Sequence, residues 1–436
     1  MNKIQPAVVV VAYNRVAPLQ RLLHSLSQAR YPESAAIPLV ISIDFSGSQD
    51  VKQVAEGFEW AHGPKRVVAH EARLGLRAHV LKCGDLSEEY GAIILLEDDL
   101  TVSPAYYDFT LQALEAYAQE PGVSGISLYR NGTNPEFKKK KFEMVFSPVH
   151  DGFDNYFVQH VATWGQCWTS LQWREFRKWL ALRPENAPAD NSLLPPSIRS
   201  WSDSSSWAKL FQLYMIESGT YFVFPRIALS TNWGEAGTNF RSDTSRYQVP
   251  LLMELREWKF SPLNQSLSIY DVQFEILPAC LKRANPALAG FDFETDLCAV
   301  KEPDRIQKPY VLTSRELEGC NEVALTFCAT LFPLEMNVLL PSEGTGIRLV
   351  PTSAIAGKIQ REEKGAVPIR LQTFQENLAK VLAYEAQKNE IKHLKGELKA
   401  LRRDLHIAPI RALLWLRKSL KASITFIKGI FSRPGS

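Results

Sequence analysis

Apolar runs and amphipathic stretches alternate through the first hundred residues. Runs rich in β-branched residues mark strands over 7–13, 38–44, 66–70 and 91–96, and such continuous runs are typical of parallel strands buried on both faces. Between them, apolar residues recur at helical spacing after Pro18, after residue 50 and from about 76 to 86. This alternation predicts an α/β fold with a mostly parallel sheet flanked by helices.

The pattern changes three times further along the chain. Residues 1–245 form the predicted α/β domain, in which 100–245 is rich in aromatic residues. Residues 246–365 contain short strand-like pieces among Pro and Gly, which predicts a smaller mixed α/β accessory region. A coiled-coil or docking helix is predicted over 366–408, and a basic amphipathic helix over 409–436.

The segment 384–405 carries apolar residues at alternating spacings of three and four between charged ones. This spacing is that of a coiled coil, which would make the chain a homo-oligomer through these residues. A helix packed on its own domain explains the same pattern equally well.

Polar residues stand where the predicted strands end. Asn14 and Arg15 follow the first strand, Asp44 ends the second, and the triplet Glu97, Asp98 and Asp99 follows the fourth. Ligands of parallel α/β sheets lie at the carboxyl ends of the strands, so these side chains are expected to converge. Carboxylate oxygens suit Mg²⁺ or Mn²⁺, which also bind phosphate oxygens; a solvated acidic turn is the alternative.

Three segments, 7–15, 38–44 and 93–104, resemble in order and spacing the nucleotide-sugar domain of GT-A glycosyltransferases. The similarity is to the N-acetylglucosaminyltransferase I group and its bacterial family 2-like relatives, and it continues more loosely to about residue 245. It implies a GT-A fold, a UDP-sugar donor and a Mn or Mg cation.

The resemblance also implies roles for single residues. Asp99 would ligate the metal, and Asp44 would hold the uracil. The further donor-binding residues that it implies are Tyr13, Asn14, Arg15, Glu97, Asp98 and Trp164.

The catalytic base is where this sequence departs from the family. The family has an acidic residue directly before a Trp, whereas Ser206 precedes Trp207 here. Asp203, in the same stretch, is the first candidate to take the proton of the acceptor hydroxyl. Glu235, in the glycine-containing loop that follows residue 232, is the second candidate. For each, a surface carboxylate is the alternative.

The last thirty residues contain six Lys and Arg and no acidic residue. Their apolar residues, including Trp415, fall on one half of a helix and the basic ones up to 428 on the other. This predicts a helix that lies in the plane of a membrane surface, or else one docked on the protein. The six cations exceed the net charge of +3 of the whole chain, so the rest is net acidic, which argues against a nucleic-acid partner.

Six cysteines without a CxxC pair indicate reduced thiols, and 1–6 do not resemble a signal peptide. The predicted protein is cytoplasmic and peripheral to the inner face of the cytoplasmic membrane. It is an inverting, metal-dependent glycosyltransferase that moves a sugar, with N-acetylhexosamine favoured, to a surface glycan or lipid-linked acceptor in bacterial capsule or lipopolysaccharide synthesis. The alternatives are a non-catalytic GT-A-like membrane scaffold and, last, a nucleotidyltransferase, for which 13–20 lacks the expected glycines.

Overall fold

The computed structural model describes residues 4–33, 36–137, 144–183, 192–237, 242–317, 322–355, 388, 391–397 and 414–421. The chain divides into two units, Met1–Ile369 and Arg370–Ser436. The strands of the first unit are β1 (Ala7–Ala12), β2 (Leu39–Ile43), β3 (Lys65–Ala69), β4 (Ala92–Glu97), β5 (Leu100–Val102), β6 (Val123–Ser127), β7 (Thr133–Asn134), β8 (Met144–Val145), β9 (Asn155–Val158), β10 (Gln166–Thr169), β11 (Tyr221–Pro225), β12 (Ser230–Asn232), β13 (Ile269–Tyr270), β14 (Phe293–Asp296), β15 (Tyr310–Thr313), β16 (Leu325–Phe327) and β17 (Ile347–Pro351).

Its α-helices are α1 (Val16–Ser27), α2 (Asp50–Gly57), α3 (Leu76–Asp85), α4 (Ser87–Tyr90), α5 (Tyr106–Tyr117), α6 (Ser170–Ala181), α7 (Pro196–Arg199), α8 (Trp207–Ser218), α9 (Pro278–Ala284) and α10 (Met336–Leu339).

A nine-stranded sheet in the order β13-β9-β11-β6-β10-β4-β1-β2-β3 forms the centre of the first unit. The run β4-β1-β2-β3 is parallel, whereas β10 is antiparallel to both its neighbours. The predicted α/β class with a mostly parallel sheet is therefore confirmed. The four strands predicted from apolar runs in the first hundred residues are β1 to β4.

The sheet interior explains why those runs form strands. All six residues of β1 are buried, and it lies between β2 and β4 with apolar side chains on both faces. Helix α1 buries one stripe of leucines, Leu19, Leu22, Leu23 and Leu26, at the spacing of a helix face. Helices α1 and α2 contact each other, and α3, α6 and α8 form a second contacting group.

Residues on both sides of the predicted boundary at 245 share this unit. Strand β13 pairs with β9 and so extends the large sheet. The Tyr270 hydroxyl in β13 donates to the buried carboxylate of Glu335, 2.8 Å away, and Trp258 and Leu281 belong to the same apolar core as β1. A separate four-stranded sheet, β14-β15-β17-β16, lies within the predicted accessory region. Among the described residues the apolar core continues across residue 245, and the division into 1–245 and 246–365 stays a prediction.

In the second unit, the described ranges 391–397 and 414–421 are helical. Ile391, Leu394, Trp415 and Leu416 are each at least half exposed. The remainder of the predicted coiled coil at 384–405 and of the basic helix at 409–436 lies outside the described residues, so both stay predictions. Within the described part of the chain, no helix combines the length and the apolar character needed to cross a bilayer.

Candidate active site

The ends of β1, β2 and β4 bring the predicted polar residues to one edge of the sheet. These strands are adjacent and parallel, with Val11 of β1 opposite both Ser42 and Glu97. Arg15, Asp44 and the Glu97–Asp99 triplet therefore follow neighbouring strands at the same edge, as the rule for parallel sheets predicts.

Arg15 joins two carboxylates of the triplet. Its Nη2 donates to Asp98 Oδ1 in a very short contact and to Asp99 Oδ2 at 3.0 Å. Asp98 and Asp99 are both buried, while about a quarter of the Arg15 side chain is exposed. One guanidinium thus compensates two buried carboxylates, which explains how consecutive acidic residues are tolerated at a strand end.

Burial and mutual repulsion change the acidity of the triplet. Burial, together with the charges of Asp99 and Asp98, raises the pKa of Glu97 to about 8. Burial also raises the pKa of Asp98 to about 6, although the Arg15 charge opposes that rise. Burial and the neighbouring carboxylates thus favour the protonated form of Glu97.

Asp44 is buried and fully engaged by donors. Oδ1 accepts N–H bonds from Phe45 and Leu74 at 2.9 and 2.7 Å, and Oδ2 accepts one from Gly75 at 3.0 Å. The Arg73 Nε lies 3.0 Å from Oδ2. Burial acts to raise the pKa of Asp44, but the backbone N–H bonds outweigh it and the pKa is lowered. Asp44 therefore orders the 73–75 turn before α3, and a uracil would have to share this carboxylate with those donors.

Arg73 is a site residue that the sequence did not single out. Its guanidinium carbon lies 3.8 Å from the centroid of the Tyr13 ring, at the end of β1, while its Nε holds Asp44. Asn14, next to Tyr13, is exposed. The signal that could have found Arg73 is its place just after β3, since residues after adjacent parallel strands meet at one edge.

The segment after β12 covers the other side of Asp99. Asn232 Nδ2 donates to Asp99 Oδ1 at 3.1 Å, and the Trp233 N–H donates to the Asp99 carbonyl at 3.1 Å. Gly237 packs so closely on Arg15 that a Cβ there would lie 3.2 Å from Nη1. Glu235, the second candidate for the base, is ion-paired with Arg21 of α1. The described part of this loop thus lies beside the Arg15–Asp99 pair.

The first candidate base lies in a different environment. Asp203 Oδ1 accepts from Lys209 Nζ at 2.8 Å, and Arg77 of α3 donates to the Asp203 carbonyl. Lys209 is almost fully buried and also donates to the carbonyls of Arg199 and Trp201. Asp203 is thus the counter-ion of a buried lysine, although its own side chain is 44% exposed.

Ser206, which directly precedes Trp207, caps α8. Its Oγ accepts from the N–H of Lys209 at 3.1 Å, as N-cap residues do. Ser206 thus has a local structural role at the start of this helix.

Trp164 belongs to an aromatic group. Its ring packs edge-on against Tyr129 at 4.8 Å and lies 4.7 Å from Tyr247, and its carbonyl accepts from the Ser230 hydroxyl. Because Ser230 begins the strand that ends at Asn232, this group is connected to Asp99 through β12.

Asp98 and Asp99 could hold a divalent cation if Arg15, which donates to both carboxylates, gave up these contacts. Their hard carboxylate oxygens are the ligand type that Mg²⁺ and Mn²⁺ prefer. Both oxygens of Asp99, however, already accept N–H bonds, from Arg15 and Asn232. Among the described residues, no three His, Cys, Asp or Glu side chains surround one metal position. An ion could therefore be held here by Asp98 and Asp99 in exchange for Arg15.

Comparison with known proteins finds resemblance in structure alone. No protein-family model matches the chain, and no curated protein matches it in sequence. Three solved structures resemble it at 13–16% identity. S. aureus TarS 1–349 in complex with UDP-GlcNAc has a TM-score of 0.33 over 53% of this chain and 59% of that one. GalNAc-T7 with UDP, GalNAc and Mn²⁺ has 0.35 over 52% and 43%. The mannosyltransferase PcManGT from Pyrobaculum calidifontis, in complex with GDP-Man and Mn²⁺, has 0.29 over 45% and 51%.

This chain therefore spans less than two thirds of each of those chains. Resemblance at this level does not carry an activity from them to this protein. The α/β class is shown by the sheet itself, and the residues at the edge of that sheet are the ones that bear on function.

Proposed function

We propose that this chain is a glycosyltransferase that takes a sugar from a UDP-sugar and transfers it to a glycan or lipid-linked acceptor. The observation that carries the proposal is the row of groups along one sheet edge: Tyr13 with Arg73, then Asp44, then Arg15 with Asp98 and Asp99. The Tyr13 ring and the Asp44 carboxylate suit a nucleoside. Arg15, beside carboxylates that could hold a divalent ion, suits a diphosphate.

In the proposed reaction, the bond between the anomeric carbon and the β-phosphate oxygen breaks as the acceptor oxygen bonds to that carbon. The nucleoside diphosphate leaves with the electron pair, and the proton of the acceptor hydroxyl passes to a carboxylate. A divalent ion, when bound, would offset the charge of the diphosphate. Arg15, released from the carboxylates, is the residue able to donate to phosphate oxygens.

Glu235 and Asp203 remain the two candidates for the base. Glu235 is one residue from the Trp233–Gly234 turn that contacts Asp99, and its partner Arg21 is only partly buried. Asp203 would have to act while bound to Lys209. We favour Glu235, because a base needs a lone pair directed at the acceptor instead of at a buried ammonium.

The test is donor binding and turnover by the full-length chain. Thermal shift and calorimetry with UDP and a panel of UDP-sugars, with and without MnCl₂, are expected to show stabilisation, since a ligand at a hundred times its Kd adds about 2.7 kcal/mol. Asp99→Ala is expected to abolish it. If UDP does not bind under any condition and no UDP-sugar is hydrolysed, the proposal is wrong.

The second candidate function is a non-catalytic scaffold with the same shell. It is favoured by the engagement of both candidate bases in ion pairs, Asp203 with Lys209 and Glu235 with Arg21. A scaffold would bind UDP without turning over any UDP-sugar, so the turnover measurement separates the two.

For the sugar we favour an N-acetylhexosamine, and for the pathway bacterial capsule or lipopolysaccharide synthesis. We further propose that the basic segment 409–436 holds the protein on the inner face of the cytoplasmic membrane and that 384–405 pairs copies of the chain. Co-sedimentation of the full chain with vesicles, with and without anionic lipid, and its mass by light scattering test these two proposals.

A further inference from the structure

Trp233 is held in one orientation beside the candidate site. Its Nε1 donates to Thr101 Oγ1 at 2.7 Å, and the guanidinium carbon of Arg21 lies 4.2 Å from the ring centroid. Its backbone N–H donates to the Asp99 carbonyl. In spite of these contacts, 39% of the residue is exposed. A large aromatic ring that is fixed on one face and open to solvent has a pre-organised binding surface.

A cavity of about 330 Å³ adjoins this ring. Its lining presents acceptors and donors in a small space, from Trp233, Glu235, Asp243, Thr244, Ser245 and Gln248. The volume is at the lower end of the range for small-molecule sites. An aromatic ring surrounded by carboxylate, hydroxyl and amide groups matches the surface of a sugar, which has apolar C–H faces and a rim of hydroxyls.

The backbone that forms the cavity is tightly closed. Gly234 has φ +65°, and its carbonyl accepts from the Thr244 N–H at 2.8 Å. The Gln248 amide donates to the Trp233 carbonyl, and Asp243 accepts from the Ala236 N–H. Cross-links of this kind hold the two segments of the cavity wall together. The cavity is thus a built feature of the residues around Trp233.

The cavity adjoins the segment that contacts Asp99. Asp44 follows β2, across β1 from β4, whereas Trp233 follows β12, which pairs with β5 directly after Asp99. A nucleotide with its base near Asp44 and its diphosphate near Arg15 would have its sugar end directed toward Trp233. Asp243, Ser245 and Gln248 are exposed at the rim, which leaves the cavity open to a longer glycan.

We propose that this cavity is a saccharide-binding subsite, with the free face of Trp233 as the platform for one sugar ring. The inference rests on the proposed function and deepens it, because it names the residues that select the sugar. The ring bound there belongs either to the donor or to the acceptor, and the two sources are separated by experiment.

The test uses the full-length chain and the variants Trp233→Ala and Trp233→Phe. Calorimetry measures the Kd of UDP and of UDP-GlcNAc with MnCl₂, and labelled protein with UDP and MnCl₂ is applied to an array of immobilised glycans. Trp233→Phe keeps an aromatic face while losing the Nε1 donor and part of the ring area, so it tests whether an aromatic face is what the sugar needs. Leu182→Ala, which removes an apolar side chain that is 86% exposed in the same unit, is the control for a surface substitution.

We expect Trp233→Ala to leave the Kd of UDP within about twofold and to weaken sugar binding at least about tenfold, with Trp233→Phe close to wild type. Loss confined to UDP-GlcNAc identifies the donor sugar, and loss confined to the array identifies the acceptor. If Trp233→Ala changes neither, or weakens UDP itself to the same extent, the inference is overturned. Failure of wild-type protein to bind UDP would instead count against the proposed function.

Discussion

Arg15 stands where a divalent cation would have to bind, and this leads to an unusual expectation for Arg15→Gln. The substitution removes the charged donor that bridges Asp98 and Asp99 and leaves a shorter, uncharged polar side chain. The two carboxylates then lose their cation. We expect the variant to bind Mn²⁺ alone more tightly than wild type, and to bind UDP more weakly in the presence of Mn²⁺.

The magnitude follows from the charges and their distances. The Arg15 guanidinium nitrogen is 3.0 Å from Asp99 Oδ2. With Arg15 in this position, a divalent ion on that carboxylate would have the guanidinium charge about 4 Å away. Between a unit and a divalent charge at that distance, even the dielectric of bulk water gives about 2 kcal/mol. Relief of that repulsion corresponds to about thirtyfold tighter Mn²⁺ binding. The loss of a charged phosphate contact weakens UDP by about 1.5–3 kcal/mol.

The assay is a titration of MnCl₂ followed by electron paramagnetic resonance of the free ion, at pH 8, where Asp98 with its pKa of about 6 is ionised. Calorimetry with UDP gives the second affinity. Arg66→Gln is the matched control, because it removes the same charge from an exposed pair with Glu89. Unchanged or weaker Mn²⁺ binding by Arg15→Gln would refute the reasoning, because Arg15 would then not compete for these carboxylates.

Three further predictions concern the free energy of unfolding. Gly234→Ala is expected to lower the free energy of unfolding by about 1–3 kcal/mol, because φ is +65° and the new Cβ would lie 2.1 Å from the Thr244 carbonyl oxygen. The control is Gly132→Ala, whose new Cβ meets nothing within 4 Å. It should be neutral in denaturant unfolding. Lys209→Met should cost about 1–3 kcal/mol in denaturant unfolding, since it leaves the carbonyls of Arg199 and Trp201 without their donor. An unfolding free energy equal to wild type would contradict the assigned contacts. His79 is buried, and burial lowers its pKa from 6.5 to about 4, so it contributes stability that is present above pH 6.5 and is lost as the pH falls toward 4. His79→Gln should therefore flatten the unfolding free energy in that window by about 3 kcal/mol, and an unchanged pH profile would show that His79 is not the group that titrates.

The parts of the fold that were predictable are those encoded by local pattern. The continuous apolar run Ala7–Ala12 is typical of a central strand, and the leucines of α1 recur at the spacing of one helix face. Strands such as β9 and β10 lack a comparable local pattern. β10 lies antiparallel between β6 and β4, and its partners in β4 are more than seventy residues earlier in the sequence. Likewise, nothing local in Ile269–Tyr270 indicates that β13 completes the large sheet.

The same distinction separates the predicted from the unpredicted site residues. Asp44, Asp98 and Asp99 could be expected at one edge because they follow predicted strands of a parallel sheet, and Arg73 follows another such strand. The contacts of Trp233 and Arg21 could not be predicted, because they depend on how the loop after β12 packs over Thr101 and α1. The order of predicted strands indicates which backbone segments lie close together. The orientation of a long cationic side chain depends on the carboxylates that the fold brings within its reach.

The orientation of one cationic side chain also changes how the acidic triplet is interpreted. Read as a sequence, Glu97, Asp98 and Asp99 are three negative charges that call for a metal. In the folded chain Arg15 compensates part of that charge, and burial with the neighbouring carboxylates raises the pKa of Glu97. An ion that binds Asp98 and Asp99 would therefore have to compete with Arg15 for these carboxylates. A diphosphate that offers the guanidinium a new partner lowers the free energy needed to displace Arg15, so metal and nucleotide should bind together more tightly than either binds alone.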